Sequence, residues 1–167
     1  MRAGHPTFAG WPGGARALAP ELFSKRQAQV SRQFDFLLRV FTPRTVFMEI
    51  GSADCELSLR AASFVERVWC VDALSRIAQP PCNLRSGGMG GVPLGSIDVA
   101  FSERLENAED VRRLLAPGGV WFVYGQLLPA QAFREAGFAR VQYFAGGLRV
   151  PGALARISRT TTTAAYK

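Results

Sequence analysis

The chain has 167 residues, of which 48% are hydrophobic and 20% are charged. This length supports one domain with its own core and is short for two. Lysine and arginine number 20 against 13 aspartate and glutamate, and the net charge of +7 leaves binding to nucleic acid or another anion open. The arginines are scattered and do not alternate with aromatic residues, so nucleic-acid binding is the weaker expectation.

The histidine and cysteine content argues against two kinds of site. The single histidine is His5, near the start of the chain, which leaves no histidine for a metal site or a Ser-His-Asp triad in the core. Cys55, Cys70 and Cys82 are odd in number and form no C-x-x-C pair. We therefore expect reduced thiols, no bound metal and a cytoplasmic location.

The ends of the chain differ in composition from its middle. Residues 1–18 are rich in proline and glycine and are predicted to be a flexible arm, and residues 159–167 are predicted to be a frayed C-terminal tail. Residues 19–158 are predicted to form one domain. We expect no membrane contact and no signal peptide, because no apolar run approaches the roughly 18 residues of a membrane span.

Residues 44–72 carry the clearest pattern, and a helix over about 25–41 is predicted before them. That helix follows from apolar residues at helical spacing, namely Val30, Phe34, Leu37, Leu38 and Phe41. The pattern of 44–72 predicts a strand over 46–50, a small-residue turn over 51–54, a helix over 57–65 and a strand over 68–71 that Asp72 closes. This is a βαβ unit with parallel strands, whose turn and second acid lie at the carboxyl edge of the sheet, where nucleotide-like ligands bind.

The rest of the chain continues the alternation of strands and helices. The predicted elements are a short strand over 82–85, a flexible glycine loop over 86–91, a strand over 96–102, a helix over 103–115, a strand over 120–124, a helix over 127–136 and a hairpin of 138–144 with 148–158. This order predicts an α/β fold with a mainly parallel sheet and a C-terminal antiparallel hairpin.

Five segments in this order resemble the class I, Rossmann-like S-adenosylmethionine-dependent methyltransferases. They are the turn of 49–54, which is similar to the acid-x-Gly-x-Gly motif; Asp72; the fourth-strand segment of 92–102; the "LEH … LxPGG" segment at 105–107 and 113–119; and the "EAGF" of 135–138. The resemblance implies a Rossmann-like three-layer sandwich. It also implies S-adenosylmethionine as cofactor and a small-molecule or sugar-like methyl acceptor.

The resemblance also assigns candidate site residues. The cofactor-binding candidates are Glu49, Gly51, Ser52, Ala53, Asp54, Asp72, Ala73 and Ser102, and the catalytic candidates are Ser102, Glu103 and Asn107, with Tyr124 as a further one. Simpler roles compete with these. Ser102 and Glu103 are also typical of a helix start, and Glu49 of a strand-end acid satisfied by backbone N–H groups. Asp72 follows four apolar residues, where a buried acid is costly without a partner.

Departures from the family pattern keep two other functions open. Ala53 and Cys55 stand where the family has glycine, and Cys55 either crowds the cofactor or faces the core. Ser86-Gly87-Gly88 stands where the family has an acid for the adenine, and Asn107 where it has histidine. A methyltransferase-like binding protein without catalysis is therefore an alternative, and the net charge makes an RNA methyltransferase a second one. The N-terminal arm and the sheet edge are compatible with a homodimer.

Overall fold

The structure is a computed structural model, and it describes residues 20–73, 77–155 and 161–167. The predicted arm of residues 1–18 lies outside the described residues. The helices are α1 (Pro20–Leu37), α2 (Glu56–Ala61), α3 (Ala108–Leu114), α4 (Ala130–Glu135) and α5 (Gly152–Ala155), with a 3₁₀ turn at Met89–Gly91. The strands are β1 (Val46–Ile50), β2 (Arg67–Val71), β3 (Leu84–Gly87), β4 (Ile97–Ser102), β5 (Leu115–Tyr124), β6 (Arg140–Ala145), β7 (Leu148–Val150) and β8 (Thr161–Tyr166).

The eight strands form one sheet in the order β3-β2-β1-β4-β5-β8-β6-β7. Strands β1 to β5 pair in parallel, as the alternation of strands and helices predicts. Strand β8 is antiparallel to both β5 and β6, and β7 is antiparallel to β6 at the edge of the sheet. The predicted α/β class, with a mainly parallel sheet and a C-terminal antiparallel hairpin, is therefore confirmed.

The core lies on both faces of this sheet. On one face, Phe47 and Phe122 pack with apolar residues of α1 and α2. On the other face, Met48 and Trp121 pack with apolar residues of α3 and α4. Neighbouring residues of β1 and β5 thus point to opposite faces and are buried on both, as expected for a parallel sheet covered by helices on each side. In the part of the chain that the structure describes, no helix has the length and apolarity needed to cross a membrane.

Helix α3 begins later than the sequence predicts. The prediction placed its start at Glu103, whereas the helix begins at Ala108. The reason is the side chain of Asn107, whose oxygen accepts hydrogen bonds from the backbone N–H groups of Glu109 and Asp110 at 3.1 and 3.3 Å. Asparagine is among the best N-cap residues, and it sets the first turn here.

The predicted frayed tail is wrong over residues 161–167. Thr161–Tyr166 form β8 between β5 and β6, with the three threonines buried. The prediction took the polar threonine run as solvent-exposed, although threonine is β-branched and favours strands. The hydroxyl of Thr163 donates to the Gln126 carbonyl at 2.9 Å and accepts from the Leu128 N–H at 3.2 Å, so burial leaves it satisfied.

The C-terminal hairpin is present but shorter than predicted. Strands β6 and β7 pair across Gly146 and Gly147, as the sequence indicates. Strand β7 ends at Val150, however, and helix α5 follows over Gly152–Ala155. Residues 156–158 of the predicted hairpin lie outside the described residues.

Thr163→Val tests the role of β8. The valine keeps the shape of the side chain but leaves the Leu128 N–H and the Gln126 carbonyl without a partner, so we expect a loss of about 1–3 kcal/mol in the free energy of unfolding. Thr162→Val is the matched control, because Thr162 is also buried but has no side-chain hydrogen bond among the described residues. Urea unfolding of both variants is the measurement. Equal losses would contradict the hydrogen-bonded role of Thr163.

Candidate functional site at the carboxyl edge of the sheet

Three parallel strands end side by side at the edge where the sequence predicts a ligand. Ile50 of β1 lies opposite Val71 of β2 and Ser102 of β4, so the residues after these strands emerge together. The N–H of Gly51 donates to the Val71 carbonyl at 2.9 Å, which ties the start of the turn to β2. The predicted turn and the predicted acid Asp72 therefore meet at one edge of the sheet.

Glu49 is buried beneath this turn, with 4% of its surface exposed. Its carboxylate accepts hydrogen bonds from the N–H and the hydroxyl of Ser58 at 2.9 and 2.5 Å, and it is also bound by the Ser52 hydroxyl. Burial raises the pKa of Glu49, and the bonds from Ser58 and Ser52 oppose that rise. The partners of Glu49 are thus protein groups of the turn and α2, as in the simpler role of a strand-end acid.

The turn itself contains two residues with left-handed backbone. Gly51 has φ +69° and is exposed, and Cys55, the N-cap of α2, has φ +56° and is fully buried. The Ser52 hydroxyl accepts from the Cys55 N–H at 2.9 Å and closes the turn, while Ala53 is exposed. Of the two alternatives for Cys55, the structure has the second: its side chain faces the core.

The thiol of Cys55 contacts that of Cys70 inside the core. The hydrogen bond between the two lowers the pKa of Cys55, and the same bond together with burial raises the pKa of Cys70. Cys82 is exposed and lies apart from this pair. Cys55, Cys70 and Cys82 form no disulfide in the structure.

Helix α1 is fastened across the carboxyl edge by Arg26. Its guanidinium binds the Asp54 carboxylate at 2.9 Å and the Glu103 carboxylate at 2.8 Å. Glu103 also accepts from the amides of Gln29 and Gln33, at 3.1 and 2.8 Å. Burial alone would raise the pKa of Asp54, but the bonds from Arg26 and from the backbone lower it. Two of the predicted site residues, Asp54 and Glu103, therefore hold α1 in place.

Asp72 lies at the tip of β2, as predicted, but it is exposed. The prediction that it is a buried acid in need of a partner is therefore wrong, because solvent stabilises its charge. Its backbone is left-handed, with φ +51°, and its N–H donates to the Gly87 carbonyl at 2.9 Å. Its carboxylate lies 3.6 Å from where a Cβ on Gly88 would stand. The next residue, Ala73, is half-buried against the core.

The predicted catalytic candidates after β4 make structural hydrogen bonds. The hydroxyl of Ser102 is buried, donates to the Arg104 carbonyl at 2.6 Å and accepts from the Trp121 indole at 3.0 Å. Asn107 caps α3, and Glu103 is bound to Arg26. Burial raises the pKa of the Tyr124 hydroxyl at the end of β5. These contacts account for Ser102, Glu103 and Asn107 without a ligand.

Glu106 is a residue that the sequence did not single out as part of the site. One carboxylate oxygen lies 3.6 Å from where a Cβ on Gly51 would stand, so the side chain extends back over the turn. In the sequence, Glu106 is marked only by its place in the "LEH"-like segment. That place does not predict which way its side chain points. The distance to Gly51 depends on the path of residues 103–107, and that path is not readable from local pattern.

Comparison with protein-family models and with curated proteins gives no match. Among solved structures, a chain from the Haloferax volcanii complex of the Trm112 methyltransferase activator with a protein described as a methyltransferase is similar at a TM-score of 0.61 and 13% identity, over 88% of this chain and 94% of that chain. The tRNA (m1A58) methyltransferase TrmI from Aquifex aeolicus is similar at 0.57 and 14%, over 83% and 68%.

A third similar structure is the Haemonchus contortus phosphoethanolamine N-methyltransferase 2, in complex with phosphomonomethylethanolamine and S-adenosylhomocysteine. It matches at a TM-score of 0.57 and 13% identity, over 81% of this chain and 52% of that chain. These three solved structures share one overall architecture with this chain. The chain therefore has the Rossmann-like fold of class I S-adenosylmethionine-dependent methyltransferases, as the sequence resemblance implies.

Substitutions of Cys55 test the strain in the turn. Cys55→Gly and Cys55→Ala both remove the buried thiol, but only alanine keeps a Cβ at φ +56°. We expect the glycine variant to be more stable than the alanine variant by about 1 kcal/mol, because glycine adopts left-handed backbone without steric conflict. Urea unfolding midpoints measure this difference. An alanine variant as stable as the glycine variant would contradict a left-handed Cys55.

Proposed function

We propose that this chain binds S-adenosylmethionine at the carboxyl edge of its sheet and transfers the methyl group to a small-molecule acceptor. One observation carries the proposal. Gly51, which is exposed and has left-handed backbone, and the exposed Asp72 follow the ends of two adjacent parallel strands. The fold supports it, since ligands of open α/β sheets bind at this edge.

The residues at the edge fit the chemical groups of this cofactor. The backbone of Gly51, Ser52 and Ala53 would hold the methionine end, since no Cβ at Gly51 blocks approach to the turn. The carboxylate of Asp72 would accept hydrogen bonds from the two ribose hydroxyls. Beside it, Gly87 and Gly88 present backbone rather than side chains, and among the described residues no atom beyond its chain neighbours lies within 4 Å of where a Cβ on Gly87 would stand. That leaves open space for a flat base.

The acceptor chemistry follows from the side chains around the site. When bound, the cofactor supplies a methyl group on a good leaving group, so the protein mainly has to align the acceptor. The hydroxyl of Ser102 is committed to Arg104, and Glu103 is bound to Arg26. Burial disfavours ionisation of Tyr124. We therefore propose an acceptor that needs no strong base, such as a ring nitrogen or a thiol, ahead of a sugar hydroxyl.

The distribution of charge supports a small acceptor over RNA. The carboxylates of Asp72 and Glu106 have no cationic partner among the described residues. Arg104 is exposed at the carboxyl edge directly after β4, and four further exposed arginines lie around the opposite, amino edge of the sheet, namely Arg44, Arg67, Arg113 and Arg140. A phosphate backbone entering the proposed site would meet unpaired negative charge, which opposes binding.

A methyltransferase-like binding protein without catalysis is the second candidate. The observation that favours it is that Ser102, Glu103 and Asn107 are all engaged in structural bonds. A chain of this kind would bind the cofactor and transfer no methyl group to any acceptor. Turnover of the cofactor to S-adenosylhomocysteine in the presence of nitrogen and thiol acceptors separates the two candidates.

Asp72→Asn tests the proposed cofactor site. Asparagine tolerates the left-handed backbone, so the variant removes the charge and keeps the turn. We expect its affinity for S-adenosylmethionine to fall about tenfold or more, as is typical for loss of hydrogen bonds to a charged group. Asp35→Asn, at an exposed position on α1, is the matched control and should bind like the native chain. Isothermal titration calorimetry is the measurement, and failure of the native chain to bind at millimolar ligand would contradict the proposal.

A further inference from the structure

The carboxylate of Glu106 lies directly beside Gly51, at ordinary contact distance from where a Cβ would stand. Its Oε1 lies 3.6 Å from where the Cβ would stand, and Gly51 itself is exposed with φ +69°. The charge therefore sits at the surface of the turn, on the approach to its backbone. Glu106 is half-buried, so water screens it less than a fully exposed acid.

Glu106, like Asp72, has no hydrogen-bond donor to its carboxylate among the described residues, unlike Glu49, Asp54 and Glu103. Glu49 is bound by Ser58, and both Asp54 and Glu103 are bound by Arg26. Among the described residues, no side chain or backbone N–H donates to Glu106 and no cation pairs with it. A half-buried carboxylate loses some hydration on folding, and no group of the described residues replaces that water.

The geometry points to a role for Glu106 in binding the α-ammonium of the cofactor's methionine end. This inference rests on the proposed function, which brings the methionine end to the backbone of Gly51. The cofactor carries two positive groups, a sulfonium and an ammonium. Only the ammonium has N–H donors, and a carboxylate without partners is an acceptor for up to three of them. Glu106 would thus make the site selective for adenosine ligands that retain an amino-acid end.

Three ligands separate the possible roles of this carboxylate. S-adenosylmethionine has both positive groups, S-adenosylhomocysteine has the ammonium and a neutral sulfur, and 5′-methylthioadenosine has neither. Calorimetric titration of the native chain, Glu106→Gln and Glu109→Gln with each ligand is the experiment. Glu109→Gln is the matched control, because it removes the same charge from an exposed position three residues along.

We expect Glu106→Gln to bind S-adenosylmethionine and S-adenosylhomocysteine about tenfold or more weakly, since a hydrogen-bonded ion pair is lost. Its affinity for 5′-methylthioadenosine should stay that of the native chain. Glu109→Gln should change each affinity by less than about threefold, as expected for an exposed charge that touches no ligand. Circular dichroism of both variants checks that the fold is kept.

Each other pattern overturns the inference. A loss confined to S-adenosylmethionine would place Glu106 against the sulfonium. Equal loss for all three ligands would mean that Glu106 shapes the turn, and no loss would mean that it touches no ligand. Failure of the native chain to bind any of the three would instead contradict the proposed function, and the inference would fall with it.

Discussion

The buried carboxylate of Glu49 is the constraint on which the candidate site depends. Glu49 is the next-to-last residue of β1, and its carboxylate binds the N–H and the hydroxyl of Ser58 beneath the turn, so the end of the strand is fixed to the start of α2. With β1 and α2 joined in this way, the chain between them must reverse within a few residues. Gly51 and Cys55 take left-handed backbone to do so. The exposed backbone at Gly51 is a consequence of that buried network.

The acids around the turn form two groups, according to whether protein groups bind their carboxylates. Glu49 is bound inside the fold, and Asp54 and Glu103 join Arg26 to hold α1 across the edge of the sheet. These acids stabilise the architecture that forms the site. Asp72 and Glu106 have no such partner among the described residues, and each lies 3.6 Å from where the Cβ of a neighbouring glycine would stand. Charge left unpaired beside open backbone is available to a ligand.

Local pattern predicted the parallel sheet and the position of the turn, because buried strands and small-residue turns differ sharply in composition. The prediction from local pattern failed where the structure depends on contacts between residues far apart in the sequence. The threonines of β8 look polar in sequence, yet Thr163 is satisfied by the carbonyl of Gln126 and the N–H of Leu128. The exposure of Asp72 and the contact of Glu106 with the turn likewise depend on neighbours brought together by folding. Spacing along the chain indicates which strand end a residue follows, but not which way its side chain points.

A crystal structure of the chain grown with saturating S-adenosylhomocysteine is the sharpest test of a cofactor site at the carboxyl edge. We expect density for the ligand along the carboxyl edge between Gly51 and Asp72, with the ribose hydroxyls within hydrogen-bond distance of the Asp72 carboxylate. Density for the ligand at another place on the molecule, or a carboxyl edge filled only by solvent at saturating ligand, would contradict it.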